Sequence, residues 1–228
     1  MLYPNPYGIA DENLEKVLSI AMPENLQVAT AMLADLQRLR EAARKAGFEL
    51  KLESAYRSYE RQLSIWNRKA RGELTLRDAS GKPFATLPTD EESMMFAILL
   101  WSALPGGSRH HFGSEIDVSD ALHTPAGYEV DLTPQECDGM FKEFHDWISE
   151  ETEANRLFGF KRVFVPGRGK VQPEKWHLSH IPTAQMIQKN FSENALRKIY
   201  ETSEIACKSA ILDNLPKLLD DYVYPYFR

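Results

Sequence analysis

Two short stretches of this chain concentrate side chains that bind metals and move protons. They are Ser108-Arg109-His110-His111-Phe112-Gly113-Ser114-Glu115-Ile116-Asp117 and Glu174-Lys175-Trp176-His177. Together they supply His, Asp and His as metal ligands, with a spare carboxylate three residues before the last. Three protein ligands leave a fourth position for water, and a nearby glutamate can take that water's proton, which is the equipment of a mononuclear zinc hydrolase.

Each member has a plainer reading beside the chemical one. Of the neighbours His110 and His111, one is expected to face a site, and the spacing to Gly113 and Asp117 favours His110. Glu115, two residues away on the same strand face, and Asp120 are alternatives to Asp117. His180 falls on the opposite strand face from His177 and reads as packing or rim, as do His123 and His145 as core or surface residues. Trp176 reads as an aromatic packed beside the site. Glu174 is placed to reach a metal-bound water without becoming a ligand; its plain reading is a solvated glutamate after Pro173. Arg57, in Tyr56-Arg57-Ser58 at a strand end, has a planar fork suited to a carboxylate or an oxyanion, with an ordinary surface ion pair as the alternative.

These residues must be held by elements that the hydrophobic pattern predicts as helix, sheet, then helix. Apolar residues at three- and four-residue spacing predict a helix over Glu24 to Ala46, closed by Gly47. Phe48 to Glu53 alternates as a half-buried strand and delivers Arg57, after which Ser58 caps a helix through Arg71. Gly72 to Pro88 reads as a long loop, and Thr89 to Glu92 opens a helix running through Trp101 and Leu104. Glu115 to Val118 reads as a central strand, with His110 in the loop before it and Gly113 letting the backbone turn closely beneath the metal. Thr133 starts a helix through Glu153, Phe160 to Val165 and Lys175 to Ser179 read as strands, and the chain is helical from Pro182 onward.

Composition narrows the classes. With 228 residues, 43% of them hydrophobic, the chain can bury one substantial core, and no apolar run reaches the roughly 18 residues of a membrane span. A net charge of −6 without a clustered basic face argues against nucleic-acid binding. Cys137 and Cys207 are expected as free thiols rather than a disulfide framework. Met1 to Pro6 lacks a charged leader followed by an apolar run, as expected of a cytoplasmic protein or of a periplasmic or cell-envelope protein whose leader has been removed.

Tyr56-Arg57-Ser58 with Gln62, then Ser108-x-His110-x-x-Gly113-x-x-x-Asp117, then Glu174-x-Trp176-His177, resembles the D-alanyl-D-alanine carboxypeptidase and dipeptidase family of zinc peptidases. That family is related to lysostaphin-type peptidases and to the hedgehog signalling domain, and the resemblance covers residues 48 to 182. It implies one zinc ion on His110, Asp117 and His177, Glu174 as general base and acid, and Arg57 as the substrate or transition-state clamp. Ser58, Gln62 and Ser108 join Arg57 as implied substrate contacts. The implied fold is α+β, a small central antiparallel sheet flanked by helices, with a catalytic domain over 1–181 and a C-terminal helical extension over 182–228 packed on it. The implied substrate is a peptidoglycan stem peptide, cut as by a D-alanyl-D-alanine carboxypeptidase. The alternatives are a D,D-dipeptidase, an endopeptidase of the L-Ala-D-Glu type, or a non-catalytic zinc-containing binding module. Glu115 departs from the small residue that many members carry, and is expected to narrow the pocket or alter its charge.

Overall fold

A computed structural model of the chain describes residues 3–227. Met1, Leu2 and Arg228 lie outside the described residues, and with them the first two positions of the leader reading and the last of the helical extension. In chain order, α1 (Leu14–Val17) leads into a hairpin of β1 (Leu18–Ala21) and β2 (Leu26–Ala29), followed by α2 (Leu33–Lys45), β3 (Leu50–Ser54), α3 (Tyr59–Ala70) and α4 (Glu91–Leu99). Then come β4 (Glu115–Asp120), α5 (Pro134–Asp138), α6 (Lys142–Glu153), β5 (Phe160–Lys161), β6 (His177–His180), α7 (Ile181–Gln188), α8 (Glu193–Thr202) and α9 (Lys208–Tyr222).

The fold is α+β, as expected. An antiparallel sheet in the order β3-β4-β6-β5 sits at the centre and the β1-β2 hairpin stands apart from it. The alternation of β4 sorts its side chains. Ile116 and Val118 join Leu50, Leu52 and Leu178 in a core closed by Leu36 and Leu39 of α2 and by Phe144 and Ile148 of α6. Glu115, Asp117 and Ser119 therefore share the other face, joined by His177 and Ser179 of β6. That face is buried too. A second apolar cluster is built on α3, α4, α8 and α9 and includes Trp66, Met95, Ile98, Tyr200, Ile211 and Leu215. A sheet buried on both sides normally reads as continuously apolar; here the polar stripe is tolerable only because its members bond to one another.

Several boundaries differ from the sequence reading. Leu26–Ala29 is a strand rather than the first turn of a helix, with Leu18 opposite Ala29 and Ala21 opposite Leu26. Over four residues the spacings of two and of three or four overlap, so the pattern cannot separate strand from helix, and the hairpin contact decides. The strand predicted to Val165 stops at Lys161, because Val163 and Phe164 turn into a small cluster with Tyr226. The helix predicted from Thr133 to Glu153 is two, α5 and α6, parted at Gly139. The helix after Asp90 ends at Leu99 rather than reaching Leu104. His110 lies in a one-turn 3-10 helix, Arg109–Phe112, rather than an irregular loop. Both cysteines are free and buried, and no helix among the described residues is long and apolar enough to cross a membrane.

Gly113 ends that turn at φ 65°, where a Cβ would lie 3.0 Å from both the Ala29 amide nitrogen and Leu18 Cδ2. The expected close approach is real, but it is to the hairpin: the Ala29 N–H donates to the Gly113 carbonyl at 2.8 Å. Gly113→Ala is expected to cost about 2 to 5 kcal/mol, combining left-handed backbone strain with overpacking. Gly127→Ala, at φ 77° with nothing within 4 Å of its Cβ, should cost only the strain, about 1 to 2 kcal/mol. Denaturant unfolding of the two variants checks the difference.

Candidate metal centre

The antiparallel register places Asp117 directly opposite His177 and Glu115 opposite Ser179. Cross-strand neighbours on one face stand close enough for side chains to meet. His177 Nδ1 lies 3.1 Å from Asp117 Oδ1, and His110 Nε2 approaches Asp117 Oδ2 at 3.3 Å from the 3-10 turn. His110, Asp117 and His177 each present a ligand atom within 4.8 Å of the others.

Each ring's second nitrogen is already committed. His110 Nδ1 donates to the Ala55 carbonyl at 2.7 Å, leaving Nε2 as the lone-pair nitrogen toward Asp117. His177 Nε2 is 2.8 Å from Glu115 Oε2, leaving Nδ1 toward Asp117. With metal–nitrogen distances near 2.0 to 2.1 Å, a tetrahedral site has donor-to-donor edges of about 3.3 Å. The observed 3.3 and 3.1 Å fit such a site.

Glu115 is fully buried and carries the polar stripe. It accepts from Arg109 Nη2 at 3.1 Å, Ser114 Oγ at 2.7 Å and Ser179 Oγ at 2.8 Å, besides its bond to His177. Burial opposes its ionisation, but Arg109 and His177 outweigh that and hold its carboxyl down at about 2. For His177, burial opposes the charged ring, while the bonds to Asp117 and Glu115 win and lift it to about 9. The expectation that Glu115 narrows the pocket is corrected: it stands behind His177 and does not line the cleft. Two carboxylates on one strand face were visible in the sequence; that one of them grips the far side of the histidine needed the β4-β6 register.

A cleft of about 430 Å³ opens onto this group, and Arg57, Ser108, His110, Asp117, Glu174 and His177 all border it. The Glu174 carboxylate is 3.7 Å from His177 Nδ1. Burial pushes its carboxyl up to about 7, with His177, Arg57 and Lys69 pulling it back. It is thus not the solvated surface residue of its plain reading. Arg57 donates to Gln62 Oε1 at 2.9 Å and to Ser54 Oγ at 3.0 Å, and burial lowers its guanidinium from the usual value.

Two expected substrate contacts are placed elsewhere. Ser58 caps α3, accepting from the Arg61 amide, and Gln62 is fully buried behind Arg57, tied also to the Ala103 carbonyl at 2.7 Å. Neither borders the cleft, whereas Ser108 does. His111 donates from Nδ1 to the Arg57 carbonyl at 2.6 Å and accepts the Gly106 N–H on Nε2 at 2.9 Å, and burial depresses it to about 3. His180 bonds Thr183 at 2.8 Å and packs on Phe160, away from the site as expected. Asp120 accepts from the Glu49 amide and pairs with His123, and His145 packs on Phe144 of α6. Trp176 stacks on Trp101 with ring centres 6.2 Å apart, while the ring packed on His177 is Phe164, at 4.6 Å. No sequence signal pointed to Phe164, to Arg109 behind Glu115, or to Tyr222, Val223 and Tyr226, which reach the cleft from the C-terminus.

Removing Glu115 leaves Arg109 as an uncompensated buried charge, so Glu115→Ala is expected to lose about 3 to 5 kcal/mol of stability. Glu115→Gln, which keeps an acceptor oxygen, should lose less. Breaking the exposed Lys142–Asp146 pair should change little by comparison. Urea unfolding of chelator-treated protein, in which bound metal cannot contribute, makes the comparison.

Known proteins resemble this chain. Over 28% identity in 150 residues, 64% of this chain, it resembles a D-alanyl-D-alanine carboxypeptidase of Enterococcus faecalis, of which the match spans 45%. An uncharacterized protein of Haemophilus influenzae is 27% identical over 124 residues, 53% of this chain and 92% of that one. Among solved structures, VanYB in complex with D-alanine-D-alanine superposes with a TM-score of 0.52 at 20% identity, covering 89% of this chain and 98% of that one. A mutant of the vancomycin-resistance D,D-pentapeptidase VanY in complex with Zn(II) gives 0.51 at 22% identity, over 92% and 97%. At these identities the structural likeness speaks for the fold. The VanY D-alanyl-D-alanine carboxypeptidase model matches residues 25–183, a span that holds the central sheet, both motifs and Arg57, and the chain belongs to that family.

Proposed function

We propose that this protein is a zinc-dependent peptidase that removes the terminal D-alanine from peptidoglycan stem peptides, as a D-alanyl-D-alanine carboxypeptidase does. The observation that carries this reading is one cleft holding three convergent donors, a buried carboxylate that is not among them, and a buried guanidinium. His110 through Nε2, Asp117 and His177 through Nδ1 would hold the ion. Zinc bound there supplies a Lewis acid and lowers the pKa of a water toward about 7.

The chain's own groups perform the rest. Glu174, poised near neutrality in its buried setting, accepts a proton from the attacking water and returns it to the departing amine. Arg57 is aimed by Gln62 and Ser54, and offers its fork to the peptide's terminal carboxylate or to the developing oxyanion. Phe164 packs edge-on against His177 and limits water at that ring. Retention of Glu174 and Arg57 beside an intact donor set favours an enzyme over a binding module.

Residues 182–228 belong to the same functional unit in this reading, since Tyr222, Val223 and Tyr226 border the cleft that the first 181 residues open. A peptidoglycan substrate fits a protein of the cell envelope, or a cytoplasmic one acting on precursors.

Elemental analysis tests the donor set: His110→Ala and His177→Ala should lose bound zinc, while Glu174→Ala should keep it. Glu174→Ala should also lower kcat by about 10²- to 10⁴-fold; near-normal turnover would refute its role. Mass spectrometry of defined muropeptides is expected to show loss of one D-alanine from the pentapeptide. Release of a dipeptide, trimming of a tetrapeptide, or cleavage within the stem would reassign the bond that is cut.

A further inference from the structure

Four cations border the cleft: Arg57, Lys69, Arg77 and Arg109. Two of them are neutralised within the protein, Arg109 by Glu115 and Arg77 by Asp131. The other two are not. Arg57 donates to the neutral oxygens of Gln62 and Ser54, and Lys69 Nζ donates to Ser102 Oγ at 2.6 Å. Among the described residues, neither has a carboxylate within ion-pair distance.

Lys69 lies in the last turn of α3 and Arg57 just before its first, and both side chains reach the one cleft, close enough for the two charges to act on each other. Burial and the nearby Arg57 charge lower its ammonium to about 8. Two like charges in one partly dry cleft repel, and each is desolvated with carboxylates only beyond ion-pair contact, Glu174 acting on both and Asp117 on Arg57. An arriving anion relieves both costs at once. A peptide's terminal carboxylate has the two oxygens needed to meet a fork and an ammonium together.

We infer that Lys69 is a further specificity-determining residue, which with Arg57 holds the free C-terminal carboxylate of the substrate and restricts the cleft to chain ends. This rests on the peptidase reading proposed above and adds a second cation to the carboxylate contact assigned there to Arg57.

The test compares a stem-peptide analogue ending in D-Ala-D-Ala, as free acid and as C-terminal amide, on the zinc-loaded full chain and its Lys69→Met and Lys69→Arg variants. For the free acid, Lys69→Met should raise KM about 10- to 100-fold with kcat largely kept, the loss expected of one charge-assisted contact. The KM for the amide should not move, and Lys69→Arg should restore part of the preference for the acid. An equal change in KM for acid and amide, or no change in either, overturns the inference and leaves the peptidase reading standing. Calorimetric binding of both analogues to Glu174→Gln, with and without Lys69→Met, separates the two claims. If the wild type cleaves neither analogue, the peptidase reading fails. Lys69-dependent preference for the acid in binding would then still support the inference, and its absence would overturn that as well.

Discussion

The structure turns on a carboxylate buried within the polar face of its central sheet. Glu115 is completely enclosed, and an isolated ionised carboxylate there would be prohibitively costly. Four residues remove that cost by bonding to it, Arg109, Ser114, Ser179 and His177. The consequences run outward from it. Arg109, held by Glu115 on one side, donates to the Tyr226 carbonyl at 2.6 Å and so ties the C-terminal turn to the sheet. His177, held at Nε2, has one ring nitrogen left and one direction to point it, toward Asp117. Fixing a ligand's far nitrogen sets both its tautomer and its orientation.

A second set of bonds joins segments that lie some fifty residues apart. Ala55 accepts from the His110 ring, the Arg57 N–H donates to the His110 carbonyl at 3.1 Å, and the Arg57 carbonyl accepts from the His111 ring. The strand end carrying the guanidinium is thereby stitched to the turn carrying a metal donor. His111 is a structural brace in this arrangement, bonded at both nitrogens and kept neutral by its burial. The spacing between Arg57 and the candidate metal position is thus set by bonds to the backbone, which resist displacement better than side chains in a loop would.

The cleft also separates its charges. Its acids near the centre, Asp117 and Glu174, face opposite fates: Asp117 is held ionised by two histidines, while Glu174 is pushed toward neutrality by burial. Two carboxyl groups in different settings can serve different purposes, one holding a cation and one moving a proton. Along the same cleft, Arg57 and Lys69 present positive charge bonded only to neutral oxygens, with no carboxylate in ion-pair contact among the described residues. A chain whose net charge is −6 thus keeps a locally cationic wall where an anionic chain end would dock.

Much of this was legible in the sequence. The donor types, their spacing, Glu174, Arg57 and the amphipathic elements are local patterns, and chemistry that depends on residue type can be read from order alone. A strand over Glu115 to Val118, which the structure extends to Asp120, the cap at Ser58 and the C-terminal helices followed from periodicity and capping. Register, partners and burial were not legible. Glu115 looked like a pocket residue until the pairing of β4 with β6 put it behind His177, and Ser58 and Gln62 looked like substrate contacts until packing made one a cap and the other a brace. Leu26 to Ala29 had a helical spacing that a hairpin overrode, and Tyr226, far down the chain, reached the cleft only through the folded C-terminus. Sequence decides which groups are present and which neighbours share a face. Only tertiary structure decides which nitrogen of a ring is free, which charge is paired and which is left for a ligand, because those depend on contacts between residues distant in the chain.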